Sequence, residues 1–218
     1  MQILKNIMVG FAISFLGSLP LGFLNVVGIE VYGALGLKGA CLFILGIILV
    51  QAIVCYYTLI FVNELLQNKN LMKWIEIFGI FFFLIIAYIF YNHTGDPAHG
   101  GGYLESYHGW PIFWVGAFLN SLNFLQIPFW LVFHLYFINK KYIEVNNGLK
   151  FYYVGGTMVG VFCGMLLVIY FLGKIAKEVS FLTDYIIPII LPALFVIMAI
   201  FQIYKVYTKY YFKKAKVS

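Results

Sequence analysis

Long apolar runs separated by short polar gaps dominate the chain. Six stretches, near 7–30, 39–63, 74–91, 111–138, 151–173 and 184–204, each approach the roughly 20 apolar residues that a helix needs to cross a bilayer core of about 30 Å. The pattern predicts an all-α integral membrane protein of six transmembrane helices. The connections, about 31–38, 64–73, 92–110, 139–150 and 174–183, are too short to hold a soluble domain. Any chemistry then takes place within the membrane or at its rim. A cleaved leader fits the first run poorly. Only Lys5 supplies a preceding charge, Gly17, Pro20 and Gly22 interrupt the run, and no small-x-small cleavage site follows. The run is expected to stay as a span.

Composition strengthens this reading. The 218 residues are 63% hydrophobic and 10% charged, with mean hydropathy +0.95, against about 45–50% and about 25% in soluble domains. A soluble protein this apolar cannot cover its surface with polar groups. That excludes an ordinary cytosolic enzyme, a disordered chain and a secreted disulfide scaffold. The net charge of +6 comes from 14 lysines and no arginine. A lysine-only set lacks the planar fork that reads guanine, so nucleic acid is not an expected partner. Lys5, Lys69, Lys73, Lys140, Lys141, Lys150, Lys205, Lys209, Lys213, Lys214 and Lys216 fall on one side of the predicted spans; Lys38, Lys174 and Lys177 fall on the other. This bias predicts both termini in the cytoplasm. Trp74 and Trp130 are expected toward the inner half and Trp110 and Trp114 toward the outer. The tail from Tyr204 to Lys216 is expected to lie against anionic membrane lipid. Cys41, Cys55 and Cys163 sit in apolar runs without a CxxC and read as small buried hydrophobes.

The 92–110 segment, read as an extracytoplasmic loop, leaves three spans in 1–91 and three in 111–218. An odd number per half makes equivalent helices cross in opposite directions, which predicts two inverted three-helix repeats. Gly36-Leu37-Lys38 recurs as Gly148-Leu149-Lys150. The first and fourth spans each carry a polar, proline-containing interruption, Gly17–Asn25 and Asn120–Pro128. Pro20 is expected to free the carbonyl near Leu16. Freed backbone groups in lipid must be buried in protein or face a water-filled cavity. Two interruptions at one depth point to a midplane site for a small polar solute, lined by Pro20, Gly22, Asn25, Asn120, Asn123, Gln126 and Pro128, with Gln51 from the second span. Proline kinks packed by Ser and Asn, and interhelical hydrogen bonding by the amides, are the alternative readings. Gly10, Ser14, Ser18 and Gly22, and Gly156, Gly160 and Gly164, form small-residue ridges suited to close helix packing.

Glu30 and His134 are the titratable groups expected to serve proton or ion coupling. An interfacial carboxylate near Lys38 is the other reading of Glu30. Glu64, Glu76, Glu144, Glu178 and Asp184 read as rim charges. His93, Asp96, His99, Glu105 and His108 are metal-ligand types, but their spacing matches no compact motif, and no resident metal or cofactor is expected. HExxH, GxSxG and paired intramembrane carboxylates do not occur, so no catalytic residue and no enzyme is expected.

These interruptions resemble the lysine exporter (LysE/RhtB) superfamily. Pro20-Leu21-Gly22 sits where that family carries Pro-Gly-Pro. Gly36, Gly39 and Gly46 follow at similar intervals. Gly116, Asn120 and Asn123 match the Gly-x-x-x-Asn-x-x-Asn element of its fourth span. The chain departs from the family at Leu21 and Gly22 in the triplet, and Phe124 stands where a proline follows the second Asn. The resemblance implies a multi-pass exporter in the cytoplasmic membrane of a bacterium. Its substrate would be an amino acid or similar small metabolite, moved at the expense of an ion gradient. A divalent-cation exporter of related layout, using Glu30, Asn25 and the histidine-containing loop, is the alternative. Association into a homo-oligomer is left open.

Overall fold

The structure, a computed structural model, describes residues 1–20, 22–62, 64, 68–92, 109–178 and 191–209. Seven α-helices and no strand occur among them: α1 Gln2–Ser18, α2 Phe23–Ile60, α3 Lys69–Asn92, α4 Ile112–Ser121, α5 Gln126–Asn139, α6 Leu149–Glu178 and α7 Leu191–Tyr207. α2 and α6 are long and apolar enough to cross a membrane. α4 and α5 meet that standard together, bent by 71° at the break between them. α1 and the described part of α7 are shorter apolar helices. Large apolar side chains such as Phe81, Ile85, Ile197 and Phe201 point outward, a surface suited to hydrocarbon.

The predicted spans 74–91 and 151–173 lie within α3 and α6. The predicted span 7–30 is instead two helical pieces, α1 and the start of α2. The predicted connection 31–38 is helical except at Gly36. That residue adopts φ 67°, ψ −166°, a region essentially restricted to glycine. The chain folds back there. Gly28, eight residues before, and Phe43, seven after, lie side by side. The start of the 184–204 stretch and most of the 92–110 loop, including all of its His, Asp and Glu residues, lie outside the described residues.

Glycine sets the helix pairing. On α6, a Cβ at Gly156, Gly160 or Gly164 would fall on the carbonyl oxygen of Ile7, Phe11 or Phe15 of α1. On the facing ridge of α1, a Cβ at Gly10 would fall on Tyr153. Steps of four on both helices make this a parallel pair. α2 and α4 pair the same way: Gly46 lies under the Phe113 carbonyl and Gly116 under that of Phe43. Both predicted ridges therefore pack as expected through Ser18 and Gly164. Gly22 does not take part; it precedes α2 with open space around it.

Four helix ends share one face. Asn6, fully buried, donates to the Glu144 and Leu149 carbonyls at 2.7 and 2.9 Å. Lys5 Nζ donates to the Lys141 carbonyl at 2.8 Å, and Lys150 lies over the Tyr56 ring. The start of α1, the end of α2, the end of α5 and the start of α6 therefore meet, and three of the lysines assigned to one side meet with them. Glu76 corrects its reading as a rim charge. It is 2% exposed and takes an ion pair at 2.8 Å from Lys209, while Gln202 donates to its backbone carbonyl.

Candidate functional site

Both interruptions are real breaks, and each is finished by an amide side chain. α1 ends at Ser18. The Leu16 carbonyl, expected to be freed by Pro20, accepts instead from the Leu19 N–H at 3.3 Å. Pro20 stands after the helix, not inside it. The exposed carbonyls are those of Ser18 and Pro20, and Asn25 Nδ2 caps them at 3.1 and 2.8 Å. α4 ends at Ser121, and Leu122–Leu125 turn the chain into α5. Pro128 occupies the first turn of α5, where its missing N–H leaves no bond unmade. Asn120 Nδ2 donates to the Ile47 carbonyl at 2.9 Å and, more weakly, to Gln51 Oε1 at 3.4 Å. Gln126 Nε2 bridges the second break to the Asn120 carbonyl at 3.1 Å.

The two breaks sit at one level and face each other. Ser18 lies against Gly164 of α6. Asn120 bonds to Ile47, one turn from Phe43. Phe43 adjoins Ile169 at Gly28, and Cys55 adjoins Thr157, so Ile47 stands near the level of Met165. Phe129, just past the second break, places its ring against Gly17, where an added Cβ would come within 3.3 Å. The fourteen residues from Phe15 to Gly28 pass only six residues of α6, Gly164 to Ile169. The first break is thus a sideways detour and not a simple kink.

Of the predicted solute-contacting residues, Asn25, Asn120 and Gln126 are buried, Gln51, Gly22, Asn123 and Pro128 are half-buried, and Pro20 is exposed. Asn120, Gln51 and Gln126 form one hydrogen-bonded set. Asn123 lies in the second break, and its side chain makes no hydrogen bond to a described residue. Asn25 Oδ1, Asn120 Oδ1 and Gln126 Oε1 are buried and accept no hydrogen bond from described residues.

Glu30 and His134 are not brought together. Gly28 and Tyr32, on either side of Glu30, contact Ile169 and Gly173, whereas His134 sits beside Cys55 and so near Thr157. Those levels are about fourteen residues apart on α6, about 21 Å at about 1.5 Å per residue. Glu30 is half-buried. His134 has no exposed surface. Its Nε2 lies 3.7 Å from Cys55 Sγ, its ring stacks on Trp130 at 5.3 Å and meets the edge of Tyr153 at 5.5 Å. Thr157 Oγ1 is 3.7 Å from the same sulfur. This cluster ties α2, α5 and α6 together below the breaks. Trp130, on the half of α5 that leads to the lysine-bearing face, is 1% exposed within this core. Trp110 and Trp114 are exposed, as the aromatic-belt reading expects, around a shallow aromatic hollow at the start of α4. No three metal-ligating side chains converge among the described residues.

Comparison with protein-family models, with curated proteins and with solved structures gives no match for this chain.

Proposed function

We propose that this protein is a six-span membrane transporter built from two inverted three-helix halves, exporting an amino acid or similar small polar metabolite by ion-coupled alternating access. The observation that carries this reading is the pair of breaks. Two helices are interrupted at one level, face each other, and place buried amides at each interruption. In hydrocarbon such groups are costly unless they serve a partner or a water-filled path. Discontinuous helices at mid-depth are how many transporters meet a solute.

The packing supports the inverted arrangement. Each broken helix lays its first half, in parallel and across glycine, on a long helix of the other half: α1 on α6, α4 on α2. Exchanging the halves exchanges the two pairs. α1 leaves the face that α5 reaches, so the two broken helices run in opposite senses. That face carries Lys5, Lys141 and Lys150, which supports its assignment to the cytoplasm. The resemblance to lysine exporters supplies the outward direction and the substrate class. Glu30 and His134 remain candidate coupling groups, each acting at its own level.

Asn123 offers the sharpest test, because it lies in the break and its side chain makes no hydrogen bond to a described residue. Efflux is measured from proteoliposomes preloaded with a panel of labelled amino acids, with and without an ion gradient. Gradient-dependent loss of one class is expected. Asn123→Leu is expected to slow it about tenfold or more while leaving the protein folded and inserted. Normal flux in that variant would remove Asn123 from the site. No flux of any amino acid from folded, inserted protein would overturn the substrate class and move the divalent-cation alternative, with Glu30→Gln as its test, to first place.

A further inference from the structure

The orientation of the buried amides can be read from their partners. Oxygen and nitrogen of an Asn or Gln side chain are assigned by hydrogen bonding. Here backbone carbonyls, which only accept, fix the assignment. Asn120 must turn its NH₂ to the Ile47 carbonyl, and Gln126 must turn its NH₂ to the Asn120 carbonyl. The free end of each is therefore an oxygen. Asn120 is fully buried and Gln126 is 8% exposed, and neither oxygen accepts a hydrogen bond from a described residue. Among the described residues, Gln51 Oε1 beside them accepts only the long 3.4 Å contact from Asn120. Asn120 and Gln126 have given their donors to the backbone and keep acceptors in reserve, and Gln51 turns its oxygen toward Asn120.

At Asn120 a helix end adds to that polarity, while Gln126 opens α5, whose dipole end there has the opposite sign. Asn120 lies in the last turn of α4, at the negative end of the helix dipole. Uncharged carbonyl oxygens at a helix C-terminal end suit a hard cation of low charge. A divalent ion asks for carboxylates, and the set contains none. We infer that the Gln51–Asn120–Gln126 cluster at the α4–α5 break is a binding site for a monovalent alkali cation, with Asn120 Oδ1, Gln126 Oε1 and Gln51 Oε1 as its side-chain ligands. Its role as the coupling ion rests on the transport reading above; the binding itself does not. The same accounting holds for Asn25 at the first break, but there a single oxygen stands alone.

Binding is measured without transport. Full-length purified protein in nanodiscs, in N-methyl-D-glucamine buffer, is titrated with radiolabelled Na⁺. Saturable binding is expected. Gln126→Met keeps the length of the side chain and removes the oxygen, and should weaken binding about tenfold or more. Gln126→Glu loses the same N–H but keeps an oxygen and adds charge, and should bind Na⁺ at least as tightly as the native chain and newly admit Ca²⁺. The pair separates ligation from the lost bond to Asn120, and the Glu variant carries the test if the Met variant fails to fold. Absence of saturable Na⁺ binding, or equal binding in both variants, would overturn the site. Binding of methylammonium in place of Na⁺ would give the oxygens to the ammonium group of a solute and overturn the alkali-ion assignment. Na⁺ binding without amino-acid flux would leave this site standing and remove the exporter.

Discussion

Asn25 and Gln126 do a job that helix geometry creates. A helix end leaves carbonyls or N–H groups without partners, and in an apolar interior each is costly. Both side chains reach back across a break to carbonyls of the preceding piece. Their presence was legible as intramembrane amides, but their partners were not, because Pro20 was read inside a helix that in fact ends two residues earlier. Glycines are the other residues that decide the packing. Gly160→Val would drive a side chain into the Phe11 carbonyl and should cost about 1–3 kcal/mol, as overpacked cores do. Gly155→Val, with open space beside it, should leave stability unchanged. Thermal unfolding in one detergent, comparing the two, checks this. Gly36→Ala forces a Cβ into a glycine-only conformation and is expected to cost about 1–3 kcal/mol by the same measurement.

The helices over 74–91 and 151–173 followed from apolar run length and the two breaks from proline and amide placement, whereas the helical 31–38 did not. What the pattern missed were contacts between elements distant in sequence. Cys55, His134 and Tyr153 come from three helices, and none carries a local signal of the others. Glu76 looked like a rim charge because its partner Lys209 lies 133 residues away, two residues past the end of α7. That pair ties α3 to the segment that follows α7. Lys209 is half-exposed, so the pair is worth less than a fully enclosed one. Lys209→Met, which leaves the Glu76 carboxylate in the interior, should destabilise the protein by about 1–2 kcal/mol. Adding Glu76→Gln to that variant should recover most of the loss, and a double-mutant cycle in denaturant reads the difference.

For the molecule as a whole, lysine asymmetry and the helix-end contacts agree on one face. Single cysteines introduced at Lys5, Lys141 and Lys150, in a background lacking the native thiols, should react with a membrane-impermeant maleimide only in inside-out vesicles. A cysteine at Lys174 should react only from the opposite side. Mixed labelling within the first group would break the proposed topology. The depth match of the two breaks was legible as a symmetry of motifs. The sideways detour of the first break was not, since only its packing on α6 measures how far the chain advances. Gly36 has a mechanical meaning as well. The rod before it lies along α6, the rod after it lies against α4, and a single residue joins them. Such a knee is a hinge of two backbone torsions. The angle it holds is set by how each rod packs on its neighbour, α6 on one side and α4 on the other.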